Sequence, residues 1–216
     1  MITVQAFTFN PVQENTYVLY NEKGECCIID PGPYFPAEEQ ALTDFIEENK
    51  LTPVLLLNTH CHFDHIFGNK LVQQTYGLTL YLHPLEKQVL DLGPASTQKW
   101  GIPWDKWYEG EYNFIEEGNV IQFGDEELQV LLTPGHSPGS VCFYSKSNKF
   151  IIAGDVLFNG SVGRTDLPGG DFSILEKSIR TKLYTLPGDV VVLYPGHGES
   201  TTIGDEMKSN PFVKMS

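Results

Sequence analysis

The sequence predicts an α/β fold with layered sheets and helices outside them. Short β-rich runs recur in both halves of the 216-residue chain, and apolar positions at helical spacing stand between them. Strands and helices mixed within each half argue for stacked sheets rather than one doubly wound sheet. No near-identical repeat, low-complexity tract or linker divides the chain. With about 150 residues as a soft measure of a domain, residues 1–216 are expected to form one domain.

Residues 2–9, 16–20 and 26–29 read as strands, separated by turn residues such as Asn21 and Gly24. Pro36 can open a helix at its first position, with Leu42, Phe45 and Ile46 on the inner face. Residues 54–57 are continuously apolar, as in a strand covered on both faces. A helix over 69–76 and a strand over 78–82 follow. Strands at 120–123 and 128–132 flank Gly124-Asp125, a hairpin signal. Further strands are expected at 141–144 and 150–152. Leu175, Ile179, Leu183 and Leu186 fall at helical spacing, and the last strand is expected at 190–194. Residues 92–117 stand apart, because they hold Trp100, Trp104 and Trp107 together with Tyr108, Tyr112 and Phe114. They read as an aromatic flap over a pocket or, more ordinarily, as an excursion pinned to the body by its own rings.

The 14 Lys+Arg stand against 28 Asp+Glu, a net charge of −14 that disfavours nucleic acid or an anionic membrane as partner. Bound divalent metal would offset part of that charge locally. A hydrophobic share of 41% is ordinary for a packed protein and excludes disorder. No apolar run approaches the ~18 residues of a membrane-spanning helix. The first residues carry no basic or apolar leader, which points to the cytoplasm. Cys26, Cys27, Cys61 and Cys142 show no CxxC spacing and are expected as buried free thiols of a reducing compartment.

The chemistry is concentrated in Thr59-His60-Cys61-His62-Phe63-Asp64-His65, directly after an apolar strand. A core would have to desolvate three imidazoles and a carboxylate here, so packing alone does not explain them. On extended chain His60 and His62 project to one side, while Asp64 and His65 lie where the chain turns toward the next helix. His136 in Thr133-Pro134-Gly135-His136, Asp155 in Ala153-Gly154-Asp155 and His197 in Pro195-Gly196-His197 each follow an apolar strand. Gly and Pro neighbours let the chain turn sharply at these positions. Imidazole and carboxylate donors suit zinc, with iron or manganese as alternatives. Gly135-His136-Ser137-Pro138-Gly139 formally matches a nucleophile elbow. It is rejected, because Pro138 has no N–H to offer an oxyanion. His83 is expected to be structural or to stand behind a ligand, and Cys61 to point away from the metals.

The ordered pattern HxHxDH, Gly-His, Gly-Asp, Gly-His resembles the metallo-β-lactamase superfamily, and within it the glyoxalase II-like hydrolases. The likeness runs from Asn15-Thr16-Tyr17 to Asn210-Pro211-Phe212. It implies an αββα four-layer sandwich. It implies two divalent ions roughly 3.5–4 Å apart: one on His60, His62 and His136, the other on Asp64, His65 and His197. Asp155 and a water or hydroxide would be shared between them. Asp64 and Asp155 would then serve catalysis with the metal-bound hydroxide, which attacks an activated carbonyl. A small-molecule thioester such as S-D-lactoylglutathione is the implied substrate. Arg164, nine residues after Asp155, would contact the glutathione part in that family. It is equally readable as a surface ion pair with Asp166 or Asp171. Full-length glyoxalase II proteins carry a further C-terminal helical domain, and the chain resembles the shorter, single-domain type. Cys occupies the Asp155 position in some true β-lactamases of this fold, so Asp argues against that activity. Rival readings are a persulfide dioxygenase with one iron on His60, His136 and Asp155, and a lactonase.

Overall fold

The computed structural model describes residues 1–187 and 191–215. The chain divides into two compact units, Met1–Ile115 with Gln122–Glu126, and Glu116–Ile121 with Glu127–Ser216.

The first unit is built on a six-stranded sheet in the order β1-β2-β3-β4-β5-β6. Strands β1 (Thr3–Phe9), β2 (Glu14–Tyr20) and β3 (Glu25–Ile29) pair antiparallel as a meander. Strands β4 (Thr52–Leu57), β5 (Leu80–Leu82) and β6 (Tyr112–Phe114) then add in parallel. Parallel neighbours need a crossover. Helix α1 (Pro36–Glu48) supplies one between β3 and β4, and α2 (Asn69–Tyr76) the next. Pro36 starts α1, and Glu38 accepts from the N–H groups of Tyr34 (2.8 Å) and Phe35 (3.0 Å) that the turn leaves over. Leu42 and Ile46 bury against Val18, Ile28, Leu56, Leu80 and Leu82. The strand expected at 78–82 shortens to β5, because Gly77 closes α2 in the left-handed region (φ 70°) and the next two residues return the chain to the sheet.

Residues 92–117 hold regular structure that sequence periodicity does not reveal. Helices α3 (Glu86–Asp91) and α4 (Gly93–Trp100) run into the segment, and β6 is a full member of the sheet. The segment is tied down by its aromatics. Trp104 stacks on Tyr34 at 5.3 Å and lies 4.8 Å from the Phe67 ring. The Tyr108 hydroxyl accepts from Leu80 N (3.1 Å) and donates to Glu111 O (2.8 Å).

A second sheet, most of it in the second unit, has the order β14-β13-β10-β9-β8-β7. Its strands are β7 (Val120–Phe123), β8 (Glu126–Leu132), β9 (Val141–Ser145), β10 (Phe150–Gly154), β13 (Val192–Pro195) and β14 (Thr201–Thr202). The β10–β13 pair is parallel, whereas β8–β9, β9–β10 and β13–β14 are antiparallel. A small ribbon, β11 (Leu157–Phe158) with β12 (Ser161–Val162), follows β10. Helix α5 (Phe172–Ser178) is capped by Asp171, whose Oδ1 accepts from Ile174 N (3.0 Å), and runs on as a π-helical turn to Leu183. Leu175, Ile179 and Leu183 thereby share a core with Cys142, Ile151, Ala153 and Leu193, and Leu186 packs on its margin. The chain closes with α6 (Ile203–Ser209). Residue 190, where the last strand was expected to begin, lies outside the described residues.

All four cysteines are buried and free. Among the described residues no helix is long and apolar enough to cross a membrane.

Replacing Tyr108 with Phe leaves Leu80 N–H and Glu111 C=O without their partner. Stability should fall by about 1–3 kcal/mol. Equilibrium urea unfolding measures it, and an unchanged midpoint would show that this hydroxyl does not hold the segment.

Candidate metal centre

In the first unit the donors lie on the loop after β4, where Phe63–His65 forms a single 3₁₀ turn. His60 and His65 are fully buried and Asp64 nearly so. The His60 ring stands 4.8 Å from that of His62, at right angles, and 4.1 Å from that of His65. His65 Nε2 is 3.5 Å from Asp64 Oδ2. Four donors thus gather on one short segment.

Their orientation is set by Asp30, immediately after β3. Its carboxylate accepts from Thr59 N (2.7 Å), Thr59 Oγ1 (2.5 Å), Asn58 Nδ2 (3.2 Å) and His65 Nδ1 (3.1 Å). Because Thr59 gives its hydroxyl proton to Asp30, its oxygen accepts from His60 Nδ1 at 3.1 Å. Both imidazoles therefore carry their proton on Nδ1 and present Nε2 as a lone pair. Metal-binding histidines are held in this way by a carboxylate or carbonyl behind the ring. The ligand atoms of Asp30, His60 and His65 lie within 4.8 Å of one another, so Asp30 is itself a possible donor. Its four hydrogen bonds make it an organiser instead. Asp30 stands at φ 48°, a left-handed backbone that Asp tolerates.

Further groups brace this arrangement. Asn58 Nδ2 also donates to His65 O (3.0 Å), and Asn10 Nδ2 donates to Asp64 O (3.0 Å) and Gly32 O (3.1 Å). Glu14, fully buried, lies 3.8 Å from His65 Nδ1 and 3.0 Å from Thr16 Oγ1. Loss of solvent pushes its carboxyl well above the usual carboxylate range, against the opposing pull of His65. The Cys61 side chain packs in the core, and its backbone N–H donates to Glu86 Oε2 (2.8 Å). His83 Nδ1 accepts from Leu85 N (3.3 Å), just ahead of α3.

In the second unit His136, Asp155 and His197 gather beyond the ends of β8, β10 and β13. Asp155 Oδ2 lies 3.4 Å from His136 Nε2 and 3.6 Å from His197 Nε2, so one carboxylate faces two imidazoles. His136 Nδ1 donates to Arg164 O at 2.7 Å, which leaves its Nε2 on the Asp155 side. Two glycines permit this. A side chain at Gly135 (φ 131°) would place Cβ 2.2 Å from Leu175 N, and one at Gly163 would place it 1.8 Å from Asp155 O. The Arg164 side chain forms a fork with Asp166, Nε to Oδ1 at 2.7 Å and Nη2 to Oδ2 at 2.8 Å. That hydrogen-bonded cation holds the Asp166 carboxyl down at about 2. After Ser137 the chain enters strand β9 rather than a helix, so no nucleophile elbow forms.

Each unit therefore brings together the donors that the sequence singled out within it. Imidazoles pinned through Nδ1, with carboxylates beside them, form a donor set that suits a divalent metal. Sequence reasoning missed Asp30, Asn58, Thr59 and Glu14. An Asp directly after an apolar strand, in Ile29-Asp30-Pro31-Gly32, was the available signal. The Arg164 carbonyl leaves no trace in side-chain chemistry.

Residues 9–197 match the model of the metallo-β-lactamase superfamily. A probable metallo-hydrolase of Bacillus subtilis, YqgX, is 40% identical over 212 residues, covering 94% of this chain and 93% of its own. The hydroxyacylglutathione hydrolase GloC of Haemophilus influenzae is 36% identical over 214 residues, covering 99% and 96%. Among solved structures, the B3 metallo-β-lactamase BLEG-1 is similar with a TM-score of 0.89 and 38% identity, covering 99% of this chain and 100% of that one. TTHA1623, solved in a di-iron-bound form, has a TM-score of 0.86 and 37% identity, covering 96% and 99%. The chain belongs to the metallo-β-lactamase superfamily and has its α/β fold. With that membership come divalent-metal binding and a hydrolase-type activity.

Asp30→Asn replaces an all-acceptor carboxylate with an amide that cannot accept from Thr59, Asn58 and His65 at once. Metal affinity should fall about 10- to 100-fold. Competition against a chromophoric chelator measures it, with circular dichroism confirming the fold. Unaltered affinity would remove the organising role.

Proposed function

We propose that the chain is a binuclear metallohydrolase that cleaves a small thioester of the hydroxyacyl type, such as S-D-lactoylglutathione. The observation that carries this reading is Asp155, a carboxylate facing two imidazole nitrogens at 3.4 and 3.6 Å, the disposition expected of a ligand shared by two ions. In this reading His60, His62 and His136 hold one ion, Asp64, His65 and His197 the other, and Asp155 belongs to both. Zinc is the first choice for the donor set. Iron has independent support in the di-iron form of a 37% identical relative, and manganese is compatible.

Bound divalent ions supply a water whose pKa is lowered from ~16 toward ~7, and a Lewis acid for the carbonyl oxygen. The chain does the rest. In this reading Asp64 and Asp155 would hold the attacking water and take its proton. The Asp30–Thr59 relay and the Arg164 carbonyl keep His60, His65 and His136 in the tautomer that presents Nε2. A thiolate leaves without full protonation, so no strong general acid is needed, which favours a thioester. The 36% identity to GloC, a hydroxyacylglutathione hydrolase, supports this substrate class. Free buried thiols fit the cytoplasm, and the net charge of −14 fits a small-molecule substrate rather than nucleic acid or membrane.

A second reading, attack on a cyclic carbonyl such as a lactone or β-lactam, is favoured by one observation. A 38% identical relative is named a B3 metallo-β-lactamase, which weakens the sequence argument from Asp at position 155.

Protein of measured metal content should hydrolyse S-D-lactoylglutathione faster than lactones or nitrocefin. A chelator should abolish turnover, and added zinc, iron or manganese should restore it. Asp155→Asn should lower kcat/KM by at least about 100-fold, more than the loss of an outer hydrogen-bonding partner costs. Faster turnover of the cyclic substrates would shift the assignment to them. Oxygen uptake with glutathione persulfide at one iron per chain would replace hydrolysis altogether.

A further inference from the structure

The hairpin of β11 and β12 reaches all three donors of the second unit. It starts just after Asp155 and ends just before Arg164, whose carbonyl accepts from His136 Nδ1 at 2.7 Å. The Phe158 ring stands edge-on to the His197 ring, with centroids 6.3 Å apart and planes at 90°. Gly163 N donates to Val156 O at 3.3 Å, which continues the pairing toward Asp155.

So short a ribbon does not fix its own position. Its pairs are Leu157 with Val162 and Phe158 with Ser161, and its turn, Asn159-Gly160, is exposed. Isolated two-stranded ribbons are marginal in water. Val156 and Leu157 bury in the core and hold the base. The tip is gripped from α6. Glu206 Oε2 accepts from Gly160 N (3.0 Å) and from Asn210 Nδ2 (2.7 Å). Asn210 Nδ2 also donates to Ser161 O (2.9 Å), and Glu206 Oε1 accepts from the Thr201 hydroxyl (2.7 Å). Glu206 and Asn210 are both buried, and polar groups are costly to bury unless such bonds are made. The closing helix is also fastened by other means. Ile203 and Val213 lie in the core of the unit, and Thr202 caps α6 by accepting from Asp205 N at 3.1 Å.

We propose that Glu206 and Asn210 are positioning residues for the metal donors. By clamping Gly160 N–H and Ser161 C=O they set the hairpin. The hairpin in turn sets the Arg164 carbonyl behind His136 and the Phe158 edge against His197. The proposal rests on the reading of His136, Asp155 and His197 as metal ligands, and deepens it by naming what holds them in place.

The clamp works by hydrogen-bond geometry, so a conservative replacement discriminates. Glu206→Gln keeps an oxygen for Gly160 N and Asn210 Nδ2, and its amide can donate to the Thr201 hydroxyl, which also accepts. Glu206→Ala removes the grip, and Asn210→Ala removes the bond to Ser161. Val213→Ala loosens the same core without touching the hairpin and serves as the structural control. Zinc affinity is measured by competition against a chromophoric chelator. The His136 Nδ1–H signal is followed by NMR of the whole chain labelled with ¹⁵N-histidine, before and after zinc is added. Glu206→Ala should weaken zinc about 10-fold and Asn210→Ala about 3- to 10-fold, at or below the low end of what losing a partner behind a ligand costs. Glu206→Gln and Val213→Ala should stay within about 2-fold, well short of that cost. The His136 signal should shift or broaden in Glu206→Ala, while that of His60, held by Thr59, stays in place.

The proposal is overturned if Glu206→Ala leaves both the zinc affinity and the His136 signal unchanged. It is also overturned if Val213→Ala, at equal loss of stability, disturbs them as much. Failure of Glu206→Gln to the same degree as Glu206→Ala would overturn it too, because geometry would not be what the residue supplies. If Glu206→Ala does not fold, Asn210→Ala gives the same two readouts. The His136 signal of the metal-free chain tests the clamp whatever the ligands are. Zinc that leaves His136 unshifted in the unaltered chain would sink the ligand reading alone, so the two failures are distinguishable.

Discussion

One buried carboxylate organises the donors of the first unit. Asp30 leaves β3 where β4 ends beside it, with Asp30 N donating to Leu57 O at 3.0 Å. From there it takes four hydrogen bonds and sets two histidines, His65 directly and His60 through the Thr59 hydroxyl. A charged group with almost no exposure is costly unless every lone pair is used, and here each oxygen takes two donors. The same bonds that make burial of Asp30 tolerable also decide which nitrogen of each ring faces outward. Parallel pairing of β3 with β4 is therefore a condition of the site, since a shift of register would separate Asp30 from Asn58 and Thr59.

The second unit reaches the same result through backbone rather than carboxylate. His136 is held by the Arg164 carbonyl, and the approach of that loop depends on Gly163 having no side chain. Gly135 plays the same part against Leu175 of α5. Asp155 follows Gly154, and Gly196 N donates to Gly154 O at 2.8 Å, so the loop bearing His197 is tied to the end of the strand that delivers Asp155. Donors on loops acquire precision because the strands that launch them are rigid and buried.

Much of this was legible in the chain. Helix α2 fell at its expected bounds, because Gly77 is a clear stop and the preceding pattern is amphipathic. Most strands were found to within a few residues, their interiors being runs of Val, Ile, Leu and aromatic residues. The misses share a cause. Strand β6 is three residues, Tyr112–Phe114, at the edge of its sheet, too short for alternation to register. Helices α3 and α4 are short and lack strong amphipathic periodicity. The ribbon of β11 and β12 has two residues per strand. The aromatic segment gave a choice between a flap and a pinned excursion, and the contacts of Trp104 and Tyr108 lie with residues far away in sequence.

The sequence by itself determined the donor inventory: which histidines and aspartates exist, in what order, and that each follows a strand with glycine or proline to turn it. Ligand chemistry is a property of residue type, and residue type is all that a sequence states outright. Only the tertiary structure decided how those donors are aimed. The Asp30–Thr59–His60 relay and the Arg164 carbonyl behind His136 rest on hydrogen bonds between stretches distant in sequence. A hydrogen bond is set by tenths of an ångström between atoms, and such distances exist only once the strands have fixed where each loop begins.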